Sequence, residues 1–314
     1  MSALIDGKKA LLRFYSKWDT YVTAALKFGI SFFTLYYICE KMGHMAPMAQ
    51  IPLLLILAAF GSFLSPNMLL LAGAVYLEGQ FFGCSVEAAV TGGILLLLFL
   101  LLYFSFKPRQ AYVVILTALC ISLQIPLAVP VAGALLLGPG ACVGMVFGTV
   151  VYYMAAYLGQ QTGETLGLSE ELFQKILSMP GQMFLQEELI LTLVILTAVF
   201  LVVWLLRRLP VKYSWSIAWI SGIIVYGILK IMGTLTLGME FSGAVFAVDV
   251  LLGVVAGSLI QFFCFRLDYD NVKHLQFEDD EYYYYVKAVP KLDRPEETDG
   301  HVLDPEEEDD YYLD

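Results

Sequence analysis

The sequence predicts an all-α polytopic membrane protein. It has about six spanning helices, two re-entrant helical hairpins in an inverted repeat, and a short cytoplasmic acidic tail. Three observations lead there. Hydrophobic residues make up 59% of the chain and charged residues only 15%, with a mean hydropathy of +0.73; a soluble domain carries about 25% charged residues. Several apolar runs reach the length of about 18 or more residues that marks a spanning helix. Finally, two long apolar stretches carry the same interruption sixty positions apart, Pro66 matching Pro126 and Ala72-Gly73-Ala74 matching Ala132-Gly133-Ala134.

The uninterrupted runs place spans at 22–40, 87–106, 141–158, 188–206, 214–236 and 242–263. The interrupted stretches, 51–78 and 111–138, are 28 residues each. That is long for one straight span and short for two, since half-segments of about 11–14 residues reach only about 16–21 Å across a core of about 30 Å. Basic residues settle the direction. They cluster before the first span, at Lys107–Arg109, at Arg207–Lys212 and at Arg266, and the positive-inside rule puts all four clusters in the cytoplasm. With those points fixed, 51–78 starts and ends outside, and 111–138 starts and ends inside.

Each stretch is therefore expected to enter, turn near its proline and leave by the same face. Proline removes a backbone donor and blocks a helix, so Ser65, Pro66, Asn67, Gln124 and Pro126 mark the turns. The units 51–106 and 111–158 then form an inverted repeat of hairpin plus helix, an architecture known in transporters. Helices of about 28 residues kinked at the prolines also fit the pattern.

Few ionisable groups interrupt the spans, and a charge in the bilayer centre costs about 2.5–3.5 kcal/mol on insertion scales. Lys27 can snorkel and Glu87 lies at a span edge. Lys230 and Asp249 fall at matching depths, about 9–11 Å below the outer surface on adjacent antiparallel spans. They fit a structural ion pair, a proton- or substrate-linked site, or unpaired groups facing a cavity or partner. Glu78, whose repeat counterpart is Gly138, is expected at the rim or at an entrance. Small-residue rows at Gly140, Gly144 and Gly148 and at Gly253 and Gly257 let backbones approach closely, either within the chain or in a homo-oligomer.

Function classes thin out quickly. No Walker A loop, GxSxG, HExxH or acid–base cluster is present, so the expectation is not an enzyme and no cofactor. The five cysteines and three histidines are scattered, with no disulfide framework or metal spacing. Residues 1–21 form a basic cytoplasmic or interfacial lead-in without a cleavage site, where Leu11, Leu12 and Phe14 beside Lys8, Lys9, Arg13 and Lys17 suit a helix on anionic lipid. The outer loop, 159–187, holds a short amphipathic helix capped by Ser169, with Leu172, Phe173, Ile176 and Leu177 on one side.

The net charge of −11 belongs to one end. Residues 266–314 carry 17 acids and 5 bases, leaving the rest at +1. Within this tail (265–314), Tyr282, Tyr283, Tyr284 and Tyr285 open a strand-like segment running to Val289, and beyond Lys291 the composition is that of a disordered acidic arm. The strand could pair with its own copy or with a partner's sheet edge, and the charge suits a basic cytosolic protein. No nucleic-acid partner is expected.

The stretches QFEDDEYYYYVKAVPK and IPLAVPVAGALLLGPG resemble an uncharacterised clostridial (Firmicutes) family of polytopic membrane proteins described as ABC-transporter-permease-like. Residues 123–163 also resemble the VTT (DedA-type) membrane proteins, which implies paired re-entrant helices; the arginine expected after that family's glycine-rich helix is missing here, as is the coupling motif of ABC importers. Together these features point to a bacterial plasma-membrane protein with both termini in the cytoplasm. Its expected role is that of a permease or membrane subunit working with a cytosolic partner docked on the tail. The alternative is a non-transporting scaffold that recruits envelope or division machinery.

Overall fold

The computed structural model describes residues 2–42, 47–106, 110–160, 170–209, 211, 213–264, 273–278 and 283–288, and the chain divides into two units, Met1–Phe263 and Cys264–Asp314. Among the described residues the first unit is entirely helical. Six of its helices are long and apolar enough to cross a membrane. They are the Ser16–Lys41 part of α1 (Ser2–Met42), α4 (Val86–Ser105), α7 (Gly140–Gly159), α9 (Glu187–Arg207), α10 (Ser214–Thr236) and α11 (Gly243–Cys264). All six fall where apolar composition placed them. α1 includes the lead-in as well, but Trp18 leaves helical geometry (φ −117°, ψ 20°) and divides the two parts.

Both interrupted stretches break into two helices. α2 (Ile51–Phe63) ends at Leu64, and α3 (Pro66–Cys84) starts with Ser65 as its N-cap, the Ser65 hydroxyl accepting from the Met68 amide at 3.4 Å. Pro66 sits in the first turn, where a missing N–H costs nothing because that donor has no helical partner. The second break, between α5 (Ala111–Ser122) and α6 (Ala128–Leu136), bends on Gln124, whose φ of 60° is rare for a side-chain-bearing residue. The Ile125 amide closes this turn on the Cys120 carbonyl at 2.8 Å.

Side-chain contacts relate the two helices of each pair. Gly61 on α2 faces Ser31 and Leu69, while further along α3 the Tyr76 hydroxyl donates to the Met48 carbonyl at 3.0 Å and Gly79 faces Met48. The start of α2 and the latter half of α3 therefore lie at one level. α5 runs parallel to α7, with Val113 against Gly144 and Thr117 against Gly148, so α6 returns to the level at which α7 begins. A Cβ at Gly148 would stand 2.5 Å from the Val114 carbonyl oxygen, which explains the glycine: helix backbones meet there.

The pairs are unequal in length. α3 has 19 residues and follows α4 along its run, Phe81 against Gly92 at one end and Leu70 in the cluster of Tyr103, Ala111 and Val114 at the other. α6 has only 9 residues. Both glycine rows meet other parts of the chain, Gly144 and Gly148 facing α5, Gly253 facing Leu127 and Gly257 facing Trp219, while Gly140 has open space around it.

α8 (Glu170–Phe184) is longer than its sequence pattern suggested and packs Met179 and Met183 against Phe81, Ala88 and Met154. Ser169 lies outside the described residues, and nothing is shown of the side chains of Leu172 and Phe173. In the second unit, β1 (Lys273–Glu278) pairs antiparallel with β2 (Tyr283–Ala288), in the register Lys273–Ala288 to Glu278–Tyr283. The strand expected from the tyrosine run thus pairs with a neighbouring segment of its own chain. Tyr282 and the acidic arm after Ala288 lie outside the described residues.

Candidate functional site

Two features occupy the interior of the membrane unit: a buried carboxylate and an apolar cavity. Asp249 is only 2% exposed, one turn and a half into α11. Both of its oxygens are used. Oδ1 accepts the Leu127 amide at 3.2 Å, and Oδ2 accepts the Tyr226 hydroxyl of α10. Each oxygen acts as an acceptor, and the two donors come from elements that would otherwise hold polar groups unsatisfied in an apolar interior. Leu127, fully buried, closes the α5–α6 turn and fits into the notch left by Gly253, where a Cβ would lie 2.5 Å from its Cδ2.

Lys230, one turn after Tyr226 on α10, is half-buried, and among the described residues no ion pair joins it to Asp249. The bonds to Asp249 come instead from Tyr226, on the same helix as Lys230, and from a backbone amide 122 positions away. Tyr226 had a visible signal, a polar-tipped ring in an apolar run. The Leu127 amide had none.

Glu78 is half-buried on α3. A Cβ at Gly93 would stand 3.1 Å from its Oε1, and its Oε2 is buried with no hydrogen-bond partner. Nearby, Cys39 Sγ and Tyr76 Oη are 2.6 Å apart, and Gln80 donates to the Tyr76 oxygen at 3.3 Å. Both groups also reach the Met48 carbonyl, Tyr76 Oη at 3.0 Å and Cys39 Sγ at 3.8 Å, so either can donate in the Cys39–Tyr76 contact. This polar knot ties α3 to the end of α1.

Of the turn residues, Ser65, Asn67 and Gln124 are exposed, and Pro66 and Pro126 are half-buried. In the tail Tyr283 is exposed and lies opposite Glu278, while Tyr284 and Tyr285 lie opposite Phe277 and Gln276.

A cavity of about 210 Å³ lies between α1, α2, α3, α4, α5 and α7. Its wall is mostly apolar, including Leu70, Gly73, Leu100, Ala118, Phe147 and Ala155. Lys41 is the one charged residue among its described liners, and Asp249 is not among them. A polar passage reaching Asp249 would have suited a charged or strongly polar solute; this wall suits carbon. Among the described residues no three His, Cys, Asp or Glu side chains come together as metal ligands.

Arg207, at the end of α9, donates to the Ala134 carbonyl of α6 at 2.9 Å and stacks over Trp215 at 5.1 Å. It supplies a cation and donors near the C-terminal end of a short helix, where carbonyls lack partners.

Against protein-family models, curated proteins and solved structures, the chain finds no match.

Proposed function

We propose that this is a permease-type plasma-membrane protein whose two folded-back pairs dip into the bilayer from opposite faces and frame a binding space for an apolar or amphipathic molecule. The observation that carries the reading is the cavity bounded by α2 and α3 of the first pair and α5 of the second, together with α1, α4 and α7. Backbone that departs from helix within a membrane is tolerated where it is buried in protein or lines a cavity; Leu64 at the first turn lines this one, and Leu127 at the second is buried. The weak polarity of the wall selects the substrate class: an alkyl or acyl chain gains by leaving solvent for such a space, and a hydrated ion does not. The acidic tail, on this reading, docks a basic cytosolic partner, and both termini lie in the cytoplasm.

Vesicles reconstituted with the full chain test it. They should move a fluorescent acyl-chain amphiphile between leaflets faster than empty vesicles, and Gly73→Leu, which places carbon where a Cβ meets nothing within 4 Å, should abolish the difference. Equal rates in empty and loaded vesicles would sink the proposal. The hairpin geometry has its own check: cysteines placed at Met48 and Phe82 should react with an impermeant reagent from one and the same face.

A second reading is favoured by one observation. Asp249 is spent on holding structure and lies apart from the cavity, as expected of a scaffold that anchors a recruiting tail. Copurification of envelope or division proteins, with no amphiphile movement, would select it.

A further inference from the structure

α11 is held differently from the other spans. Much of its apolar surface points outward, with Val248, Leu251, Val255 and Leu259 all exposed. Its inward bonds are made by two polar side chains 12 positions apart, about 18 Å along the helix. Gln261 accepts the Trp219 indole N–H at 2.7 Å and donates to the Ser216 hydroxyl at 2.7 Å, both on α10. Asp249 bonds Tyr226 on α10 and also reaches past it to the Leu127 amide in the α5–α6 turn. Between them, Gly253 and Gly257 admit Leu127 and Trp219. Polar bonds carry unusual weight here, because lipid offers no hydrophobic drive for one apolar helix to pack on another.

The turn held by Asp249 is also the end of the cavity wall. Ala118, Leu119 and Ser122 of α5 line the cavity, and the chain turns immediately after them. At its other end α11 finishes at Cys264, where the second unit begins.

We propose that Asp249 is a positioning residue that pins the α5–α6 turn to α11, so that a shift of α11, the span leading into the tail, is transmitted to the wall of the cavity. The inference rests on the cavity being the working site, and it assigns the route by which a tail-bound partner would act on that site. A merely structural carboxylate would stabilise the whole bundle. A pin makes the turn respond to α11 while the rest stays put.

Native cysteines report on this in the full chain. Cys120 lies in the last turn and a half of α5 and is half-buried; Cys142, also half-buried, lies at the start of α7. The measurement is the rate of N-ethylmaleimide modification at each cysteine, read by peptide mass. Asp249→Asn should speed Cys120 about ten-fold, as expected for weakening of its two buried hydrogen bonds, and leave Cys142 unchanged. Gln261→Ala, which frees the distant end of α11, should speed Cys120 about three-fold with Asp249 present and add nothing in the Asp249→Asn chain. Where Asp249→Asn fails to accumulate, Tyr226→Phe replaces it, with about a three-fold effect expected. Independent, multiplying effects of the two substitutions would overturn the pin, as would equal acceleration of Cys142. If this coupling holds while amphiphile movement fails, the permease reading falls and the pin stands; the converse result removes only the pin.

Discussion

Glycine positions show how the membrane unit depends on single atoms. Gly148 lets α7 meet α5 with the Val114 carbonyl oxygen and Thr117 Cβ 2.5 and 2.7 Å from where a Cβ would sit. Gly148→Ala should therefore push two helices apart and cost about 1–3 kcal/mol, whereas Gly73→Ala, with open space around it, should stay within about 0.5 kcal/mol of the parent. Melting of the purified protein in detergent checks both. The glycine rows were legible in sequence as sites of close approach, though sequence did not say whether the other surface belonged to the same chain. For Asp249, burial and a need for partners were legible from its place in an apolar run. Its true partners were hidden because one is a backbone amide, which every residue carries, and its choice depends on tertiary folding.

At the scale of elements, the two breaks were readable because proline and N-capping residues act locally. Ser65 and Pro66 open α3 as such residues open helices generally, and Ser65→Ala should cost about 0.5–1 kcal/mol. The second turn relies on Gln124 at φ 60°, so Gln124→Gly should raise stability by up to about 1 kcal/mol by removing the Cβ clash. Arg207→Ala should loosen α6 alone, detected as faster hydrogen exchange at its C-terminal end, since both the Ala134 bond and the Trp215 stack are lost. The unequal lengths of α3 and α6 were not legible. Both interrupted stretches are equally long and equally apolar, and where a returning helix stops is decided by what it packs on. β1 carries its own short signal, Leu275 and Phe277 alternating with polar residues, but only two apolar positions mark it beside the stronger tyrosine run.

For the whole molecule, composition alone was enough to place six spans, because the cost of burying charge in lipid leaves no other home for such runs. The division into two units at Cys264 coincides with the jump in acidity. Deleting residues after Cys264 should accordingly leave the melting temperature of the membrane unit unchanged within error, measured by loss of monodispersity on heating. A fall of many degrees would mean that the tail braces the bundle.

The bond between Asp249 and Leu127 spans 122 positions of chain, and that has a consequence for biogenesis. A ribosome adding roughly 5–20 residues per second delivers Asp249 about 6–24 s after Leu127. During that interval the short α5–α6 pair has already left the ribosome, while the carboxylate that will receive its amide has not been made. The α5–α6 turn is thus made before its acceptor exists, and α11 supplies that acceptor afterwards.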